Sequence, residues 1–555
     1  MTITAQSTKN EMIADIKNKI TLKIFEPETG EFIIKLIDKA ENLDEAFNVY
    51  QLGTNYTKTG LHYEVKKEKL SDTIKYFKKD SDLSFANDRN ATTHKLIVGD
   101  NYPALQNLLI QYHKDIDVIY IDPPYGKDSM GQFADTNYNN SLTRDNLLSM
   151  LYTRVSLSRQ LLKKEGVIFV SIDDKNQAYV KCLLDDIFGE QNFVCNLIWT
   201  NNEGGGGSDS KNFKVKHEYI LCYANSNPNN FETKKVDIED LERYTLSDEF
   251  ANERGKYQLV KLASASIQYS ASLDYKIEMP DGSFVEPSQN TDKDRACWRW
   301  SKTKLQWGLD KKFVVFKKDK KGVWQVYTKQ YTNCDKDGNI VERTKIPLAL
   351  IDRYSSTQAS EYLVDVFDSK VFSYPKPVEL IEWLIDRIDR KDIKVLDFFA
   401  GSGTTGEAVL DLNKKDGGNR TFILVQLDED LDLSLATAKT DKNKYLIENQ
   451  IKLCDLLNRP HRLSEITCER LRRIMLGSSL NNALRFKWID ENIAYGDNLE
   501  VVNVVGVSNK ETSKGKSAFD VIDETVYGLP KFENIRDKIE WVVNNFENTQ
   551  YKLED

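Results

Sequence analysis

Apolar and polar positions recur along this chain with two different periods, and the switches between them mark its elements. Residues 96 to 126, LIVGDNYPALQNLLIQYHKDIDVIYIDPPYG, read as a buried strand, a turn, a helix and a second buried strand. An amphipathic helix follows over LLSMLYTRVSLSRQLLKK, then a strand, VIFVSI, and a helix, NQAYVKCLLDDIF. The same rhythm returns late: VELIEWLIDRI is a helix, IKVLDFFAGSGTTGEAVLDLNKK a strand, glycine turn and helix, and RTFILVQLDED a strand ending in acids. Strands alternating with helices of these lengths predict an α/β class protein with a doubly wound, Rossmann-like parallel sheet.

Between the two halves, residues 227–370 lose the βα rhythm and hold many short strand-like runs, so the sheet domain is expected to be split by an insertion. The expected borders are 1–90, 91–226, 227–370, 371–430 and 431–555, the first and last being α+β segments. In the first, ITLKIFEPETGEFIIKLI predicts a hairpin turning at Pro27 to Gly30, and KKDSDLSFANDRNATTHK a charged linker after it. The run NNEGGGGSDSKN, 201 to 212, is either a plain linker or a mobile loop over a site.

At 555 residues the chain is too long for one core. Hydrophobic residues at 40% and charged residues at 29% are the balance of a globular protein. No apolar stretch is long enough to span a membrane, and the first residues lack the apolar core of a signal peptide, so a cytoplasmic location is expected. Seven scattered cysteines without a C-x-x-C pair, and five histidines without a zinc spacing, indicate neither disulfides nor a metal site. A net charge of −9 leaves nucleic-acid binding to local positive patches.

Two motifs carry chemistry. Gly401-x-Gly403-x-x-Gly406 stands between a strand and a helix, the context in which a nucleotide cofactor approaches the backbone, with Asp428 and Glu429 at the next strand end to meet ribose hydroxyls. That much also suits a dehydrogenase. VIYIDPPYG is more specific: at a strand's carboxyl end Asp122 offers a carboxylate, and Pro123 and Pro124 fix the backbone while leaving carbonyls as acceptors. A fixed carboxylate beside a fixed carbonyl accepts both N–H bonds of an exocyclic amine, and Tyr125 gives a heteroaromatic ring a flat face. The pocket suits an aminopurine.

Asp122-Pro123-Pro124-Tyr125 followed by Phe399-Ala400-Gly401-Ser402-Gly403 resembles DNA amino-methyltransferases of the permuted β class, in which a target-recognition domain lies between the catalytic and cofactor motifs. LIVGDNYPAL, GVIFVSIDD, FGEQNFVCNLIW, KHEYILCYA, RWSKTKL, SYPKPVELI and GLPKFENIRDKIEWVV narrow it to the modification subunit of type III restriction-modification systems. The resemblance implies S-adenosyl-L-methionine as cofactor, a flipped adenine stacked on Tyr125, and N6 methylation oriented by Asp122 and the Pro123 carbonyl. It further implies double-stranded DNA as substrate, a homodimer, and a restriction subunit as partner for ATP hydrolysis and cleavage. The implied cofactor residues are Asp100, Lys376, Asp397, Phe399, Ala400, Gly401, Ser402, Gly403, Thr404 and Asp428. Asp100 equally suits a helix cap, Lys376 an exposed turn, and Glu429 the ribose contact in place of Asp428. The alternative is a solitary methyltransferase without a nuclease partner, on adenine or on cytosine N4.

Residues 293–329 hold twelve Lys or Arg against three Asp, a net of +9, with four of the eight tryptophans. Arg295, Arg299, Lys302, Lys304, Lys317, Lys318, Lys320 and Lys321 are the candidate DNA contacts. A solvated basic β face over a tryptophan core is the plain alternative. Gly515-Lys516-Ser517 is no phosphate loop, because Lys510 stands where that loop needs its first glycine.

Overall fold

The structure, a computed structural model, describes residues 5–21, 27–54, 73–125, 143–200, 213, 215–228, 233–237, 242–291, 295–341, 344–438, 440–482, 484–508 and 517–547. The glycine run at 201–212 and Lys293 and Asp294 of the basic stretch lie outside them. The chain divides into two compact units, one of Met1–Glu232 with Leu348–Asp555 and one of Thr233–Pro347.

The larger unit is built on ten strands: β1 (Thr73–Phe85), β2 (Thr93–Val98), β3 (Ile116–Ile121), β4 (Leu162–Ile172), β5 (Phe193–Thr200), β6 (His217–Ala224), β7 (Leu350–Ile351), β8 (Lys394–Asp397), β9 (Thr421–Gln426) and β10 (Asn498–Ser508). They form one sheet in the order β1-β10-β2-β9-β8-β3-β4-β6-β5-β7. From β10 to β4 all neighbours are parallel. β1 is antiparallel to β10, and β6 is antiparallel to both β4 and β5, so the sheet is mixed rather than wholly parallel as expected.

Side chains of each parallel strand alternate between two cores, which is why these strands are apolar throughout. Val118, Tyr120, Val395 and Leu424 face one core with α7 (Ser356–Phe367), α8 (Val378–Ile385), α9 (Thr404–Asp416), α10 (Asp441–Leu457) and α11 (Leu463–Leu476). Ile119, Ile121, Leu396 and Val425 face the other with α4 (Asn101–Tyr112), α5 (Thr143–Leu161) and α6 (Gln177–Phe188). The chain leaves β8 through α9 to β9 on one side, and β3 through α5 to β4 on the other. The neighbours β8 and β3 therefore form the topological switch point at which α/β sheets bind ligands.

Among the described residues the expected N-terminal hairpin is absent. Described residues there form α1 (Ala5–Thr21), α2 (Pro27–Lys39) and α3 (Leu43–Thr54). Pro27 sits at the first position of α2, where its missing N–H costs nothing, and Ile33 and Ile37 lie one turn apart. Ile37 is fully buried with Ile16, Met12 and Ala46, and this three-way helix packing outweighs the local alternation. The supposed linker is mostly strand, since β1 runs to Phe85 and β2 starts at Thr93. Nor is the C-terminal segment a separate body, because β10 lies between β1 and β2.

The smaller unit holds a three-stranded antiparallel sheet, with Trp324–Tyr331 between Val314–Lys318 and Tyr257–Lys261, and a helix at Lys302–Asp310. Its core gathers Leu262, Tyr275, Trp298, Leu305 and Val326. Among the described residues of the chain, no helix is long and apolar enough to cross a membrane.

Candidate functional site

Four neighbouring parallel strands present the candidate groups from their carboxyl ends. Asp100 follows β2, Asp428 follows β9, Phe399 to Thr404 follow β8, and Asp122 to Tyr125 follow β3. Two motifs far apart in sequence thus meet because β8 pairs with β3, Leu396 opposite Ile119.

The glycine loop is a built cradle. Gly401 and Gly403 have φ of +54° and +85°, in the left-handed region that favours glycine, and a Cβ on Gly401 would meet nothing closer than Phe399 O at 3.9 Å. The buried Asp397 clamps the loop: its carboxylate accepts from Phe399 N at 2.9 Å and from Thr405 Oγ1 at 2.5 Å. Burial pushes that carboxyl up to about 7, against the lowering pull of the Thr405 and Phe399 donors. Asp397, one of the expected cofactor residues, holds the backbone of this loop. Arg470 on α11, not foreseen from the sequence, supports the loop from below. It donates to Ser402 O at 3.1 Å, Ser402 Oγ at 2.8 Å and Thr404 Oγ1 at 3.1 Å, and pairs with the buried Glu407 at 2.6 Å. Thr467 Oγ1 donates to Gly401 O at 2.7 Å. Phe399 is half-buried and Ala400 buried.

Strand β3 stops where it does because its ladder to β4 ends at Ile121 opposite Val170, and Pro123 and Pro124 have no N–H to extend it. Tyr125 turns back so that its hydroxyl donates to Asp122 Oδ1 at 2.6 Å. Asn176 Nδ2 holds the Tyr125 carbonyl at 2.7 Å and is itself fixed by Asp173 at 2.8 Å. Lys376 is no exposed turn lysine: 9% of its side chain is accessible. Its Nζ lies 2.8 Å from Asp122 Oδ1, 2.9 Å from Tyr125 OH and 3.1 Å from Glu218 Oε2 on β6. Burial alone would lower the Lys376 ammonium, but the Asp122 and Glu218 carboxylates outweigh it and hold it above the usual lysine value. Burial, then the same two charges, push the Tyr125 phenol well above its usual value, so it stays protonated. Lys376 thus belongs to the Asp122 cluster, and Glu218 is a member the sequence reading missed. Its signal was weak: one acid in the otherwise apolar run HEYILCYA.

Asp100 caps α4 by accepting from Tyr102 N at 2.7 Å, and the same oxygen pairs with Arg154 at 3.1 Å. Asn101 Nδ2 reaches Phe398 O at 2.9 Å, tying this turn to the glycine loop. Asp428 is exposed and accepts from Ser464 Oγ at 2.6 Å, while Glu429 accepts from Ser434 Oγ at 2.6 Å. Asp428 and Gly99 line a cleft of about 530 Å³ with Lys78, Lys79 and Asn503.

In the smaller unit the basic stretch divides. Lys317, Lys318, Lys320 and Lys321 are exposed at the tip of the hairpin formed by Val314–Lys318 and Trp324–Tyr331, and Arg295, Arg299 and Lys302 are exposed elsewhere. Lys318 pairs with Asp281 at 3.2 Å, and Lys304 pairs with Asp337 at 2.8 Å while lying over the Trp307 ring. The tryptophans serve the core: Trp298 is fully buried and donates to Tyr275 O at 2.7 Å, and Trp300 stands edge-on to Trp307.

Residues 116–432 match the family model described as DNA methylase, and residues 9–117 match one described as an uncharacterised conserved protein. The chain is similar to the StyLTI Mod subunit, of a type III restriction-modification enzyme from Salmonella typhimurium. The two are 28% identical over 472 residues, 80% of this chain and 66% of that protein. The EcoPI Mod subunit, from the type III enzyme of Escherichia phage P1, is 31% identical over 60% of this chain and 57% of its own. The type II methyltransferase M.KpnI of Klebsiella pneumoniae is 30% identical over 61% of this chain and 81% of its own. The chain therefore spans between 57% and 66% of the length of these two type III relatives. Among solved structures, the cytosine-N4-specific PvuII DNA methyltransferase aligns over 66% of this chain and 94% of its own, at 13% identity. Its TM-score of 0.30 is too low to carry weight.

Proposed function

Because this chain belongs to the DNA methylase family, we propose that it methylates adenine N6 at a specific sequence in double-stranded DNA. It acts as the modification subunit of a type III restriction-modification system, as a homodimer able to bind a restriction subunit. The support is the meeting of Asp122–Tyr125 and Phe399–Gly403 at the ends of the adjacent strands β8 and β3. S-adenosyl-L-methionine is the donor, and the residues present fit it: an open glycine cradle at Gly401 and Gly403, with acids at Asp428 and Asp100 for ribose hydroxyls and an adenine amine. When bound it supplies an electrophilic methyl group on a sulfonium sulfur.

The chain's own residues do the rest. The target adenine leaves the duplex at a cost of roughly a few kcal/mol and stacks on Tyr125. Asp122 and the Pro123 carbonyl accept the N6 hydrogens, concentrate the lone pair on nitrogen and aim it at the methyl carbon for in-line transfer. No covalent enzyme intermediate is required. Residues 233–347 serve target recognition, with Lys317, Lys320 and Lys321 meeting phosphates and Arg299 a base edge. The likeness to the type II methyltransferase M.KpnI, which this chain matches over 81% of that protein, favours a second reading, a DNA methyltransferase that works outside a type III system.

The test is transfer of tritiated methyl from S-adenosyl-L-methionine to unmethylated DNA by the wild type and Asp122→Ala. The variant is expected to lose at least about a hundredfold in rate while donor affinity stays unchanged. An Asp122→Ala chain with normal turnover would remove the assignment.

A further inference from the structure

Methyl transfer to a neutral amine leaves a proton to dispose of. As the nitrogen–carbon bond forms and the carbon–sulfur pair returns to sulfur, N6 becomes cationic and must lose one hydrogen. Asp122 is the first acceptor, but it is not alone. Lys376 Nζ bridges Asp122 Oδ1 at 2.8 Å and Glu218 Oε2 at 3.1 Å. Two carboxylates and one ammonium carry a net charge of −1, so the cluster takes up one proton and becomes neutral. Tyr125 OH, which donates to Asp122 at 2.6 Å, already holds its proton and adds no acceptor for a second. The side chains of Asp122 and Glu218 are 28% and 27% accessible against 9% for Lys376, so a buried ammonium joins two carboxylates that both reach solvent; a base stacked on Tyr125 covers Asp122 and leaves Glu218 as the open end.

We propose that Glu218, held by Lys376, is the terminal acceptor of the proton released from the target amine, so that Asp122, Lys376 and Glu218 work as one proton-accepting unit. This rests on the methyl-transfer reading above. The proton leaves N6 for Asp122; Lys376 passes one of its own hydrogens to Glu218 and takes the one from Asp122; Glu218 gives it to water. Asp122, Lys376 and Glu218 end as they began, and the amine is neutral and methylated. Glu218 acts through Lys376 and does not touch the base. The other titratable groups whose charges act on the cluster are Tyr120 and Asp397. Tyr120 is pushed well above its usual value by burial, so it too keeps its proton.

Single-turnover transfer of tritiated methyl from S-adenosyl-L-methionine to unmethylated genomic DNA, with enzyme in excess over sites, tests this in wild type, Glu218→Gln and Glu218→Asp. Glu218→Gln is expected to transfer about tenfold or more slowly, with donor affinity by calorimetry within about twofold. Its rate is expected to show an enlarged solvent deuterium isotope effect, a rate that climbs with pH, and partial rescue by added formate. Glu218→Asp keeps most of the rate. A Glu218→Gln chain with the wild-type rate, pH profile and isotope effect would overturn the proposal, as would a loss confined to donor or DNA affinity. A wild-type chain that methylates no DNA at all would instead remove the reading beneath it, and the proposal with it.

Discussion

Arg470 supports the glycine loop at a site where both partners of its ion pair are out of water. The side chains of Arg470 and Glu407 are each 1% accessible and 2.6 Å apart, and Glu407 also accepts from Tyr362. Arg470→Met leaves a carboxylate buried without its cation, a loss of about 3–5 kcal/mol. In a unit of this size that lowers the melting temperature by about 3–5 °C. The same substitution removes the bonds to Ser402 O, Ser402 Oγ and Thr404 Oγ1, so the cradle loses its floor. Affinity for S-adenosyl-L-methionine is expected to fall about tenfold, equivalent to 1.4 kcal/mol. The double variant Arg470→Met, Glu407→Leu separates the two effects, since an apolar pair of similar volume restores stability but not the anchor. Scanning calorimetry and donor titration well below the melting point measure both. If affinity returns with stability in the double variant, Arg470 does not act through Ser402 and Thr404; if the single variant melts like wild type, the buried-pair cost is wrong.

Tyr125→Phe keeps the ring and loses the 2.6 Å bond to Asp122, so a several-fold drop in single-turnover rate is expected, whereas Tyr125→Ala also loses stacking of roughly 1–3 kcal/mol. Equal losses in the two variants would assign the role to the hydroxyl. Replacing Lys317, Lys318, Lys320 and Lys321 by Gln should flatten the salt dependence of DNA binding by about 0.9 log units for each phosphate that is no longer neutralised. Lys318 should contribute least, because Asp281 already holds it; an unchanged slope in filter binding would make this hairpin a plain solvated surface. Asp397 titrates near 7 in the folded chain against 3.8 ordinarily, so the folded state binds the extra proton, and stability falls as pH rises from about 4 to 7. Asp397→Asn should remove that slope from denaturant unfolding measured across the window, and a slope identical to wild type would show that Asp397 is ionised throughout.

The βα order and both motifs were legible because each signal is local. Strands buried on two faces read as unbroken apolar runs, and a glycine with positive φ leaves its mark in the sequence itself. The N-terminal helices were not legible, because IFEPETGEFIIKLI satisfies a period of two about as well as 3.6, and the packing of Ile37 against Ile16 decides between them. The place of β10 between β1 and β2 was hidden for another reason: pairing of Leu499 with His94 joins opposite ends of the chain, and no local pattern encodes it. Lys376 read as a turn lysine since YPKP fixes only its backbone. Its partners are Asp122, just past the end of β3, and Glu218 on β6, both far from it in sequence. Arg470 likewise sits on an α11 helix that carries Glu469, Arg470, Arg472 and Arg473, and nothing local says that Arg470 points inward.

Modified-base sequencing of DNA from an otherwise methylation-free strain expressing this chain tests adenine methylation most directly. The expected result is N6-methyladenine at one recurring sequence, present with the wild type and absent with Asp122→Ala. DNA with no modified adenine, or with methyl groups on cytosine N4 instead, would contradict the assignment.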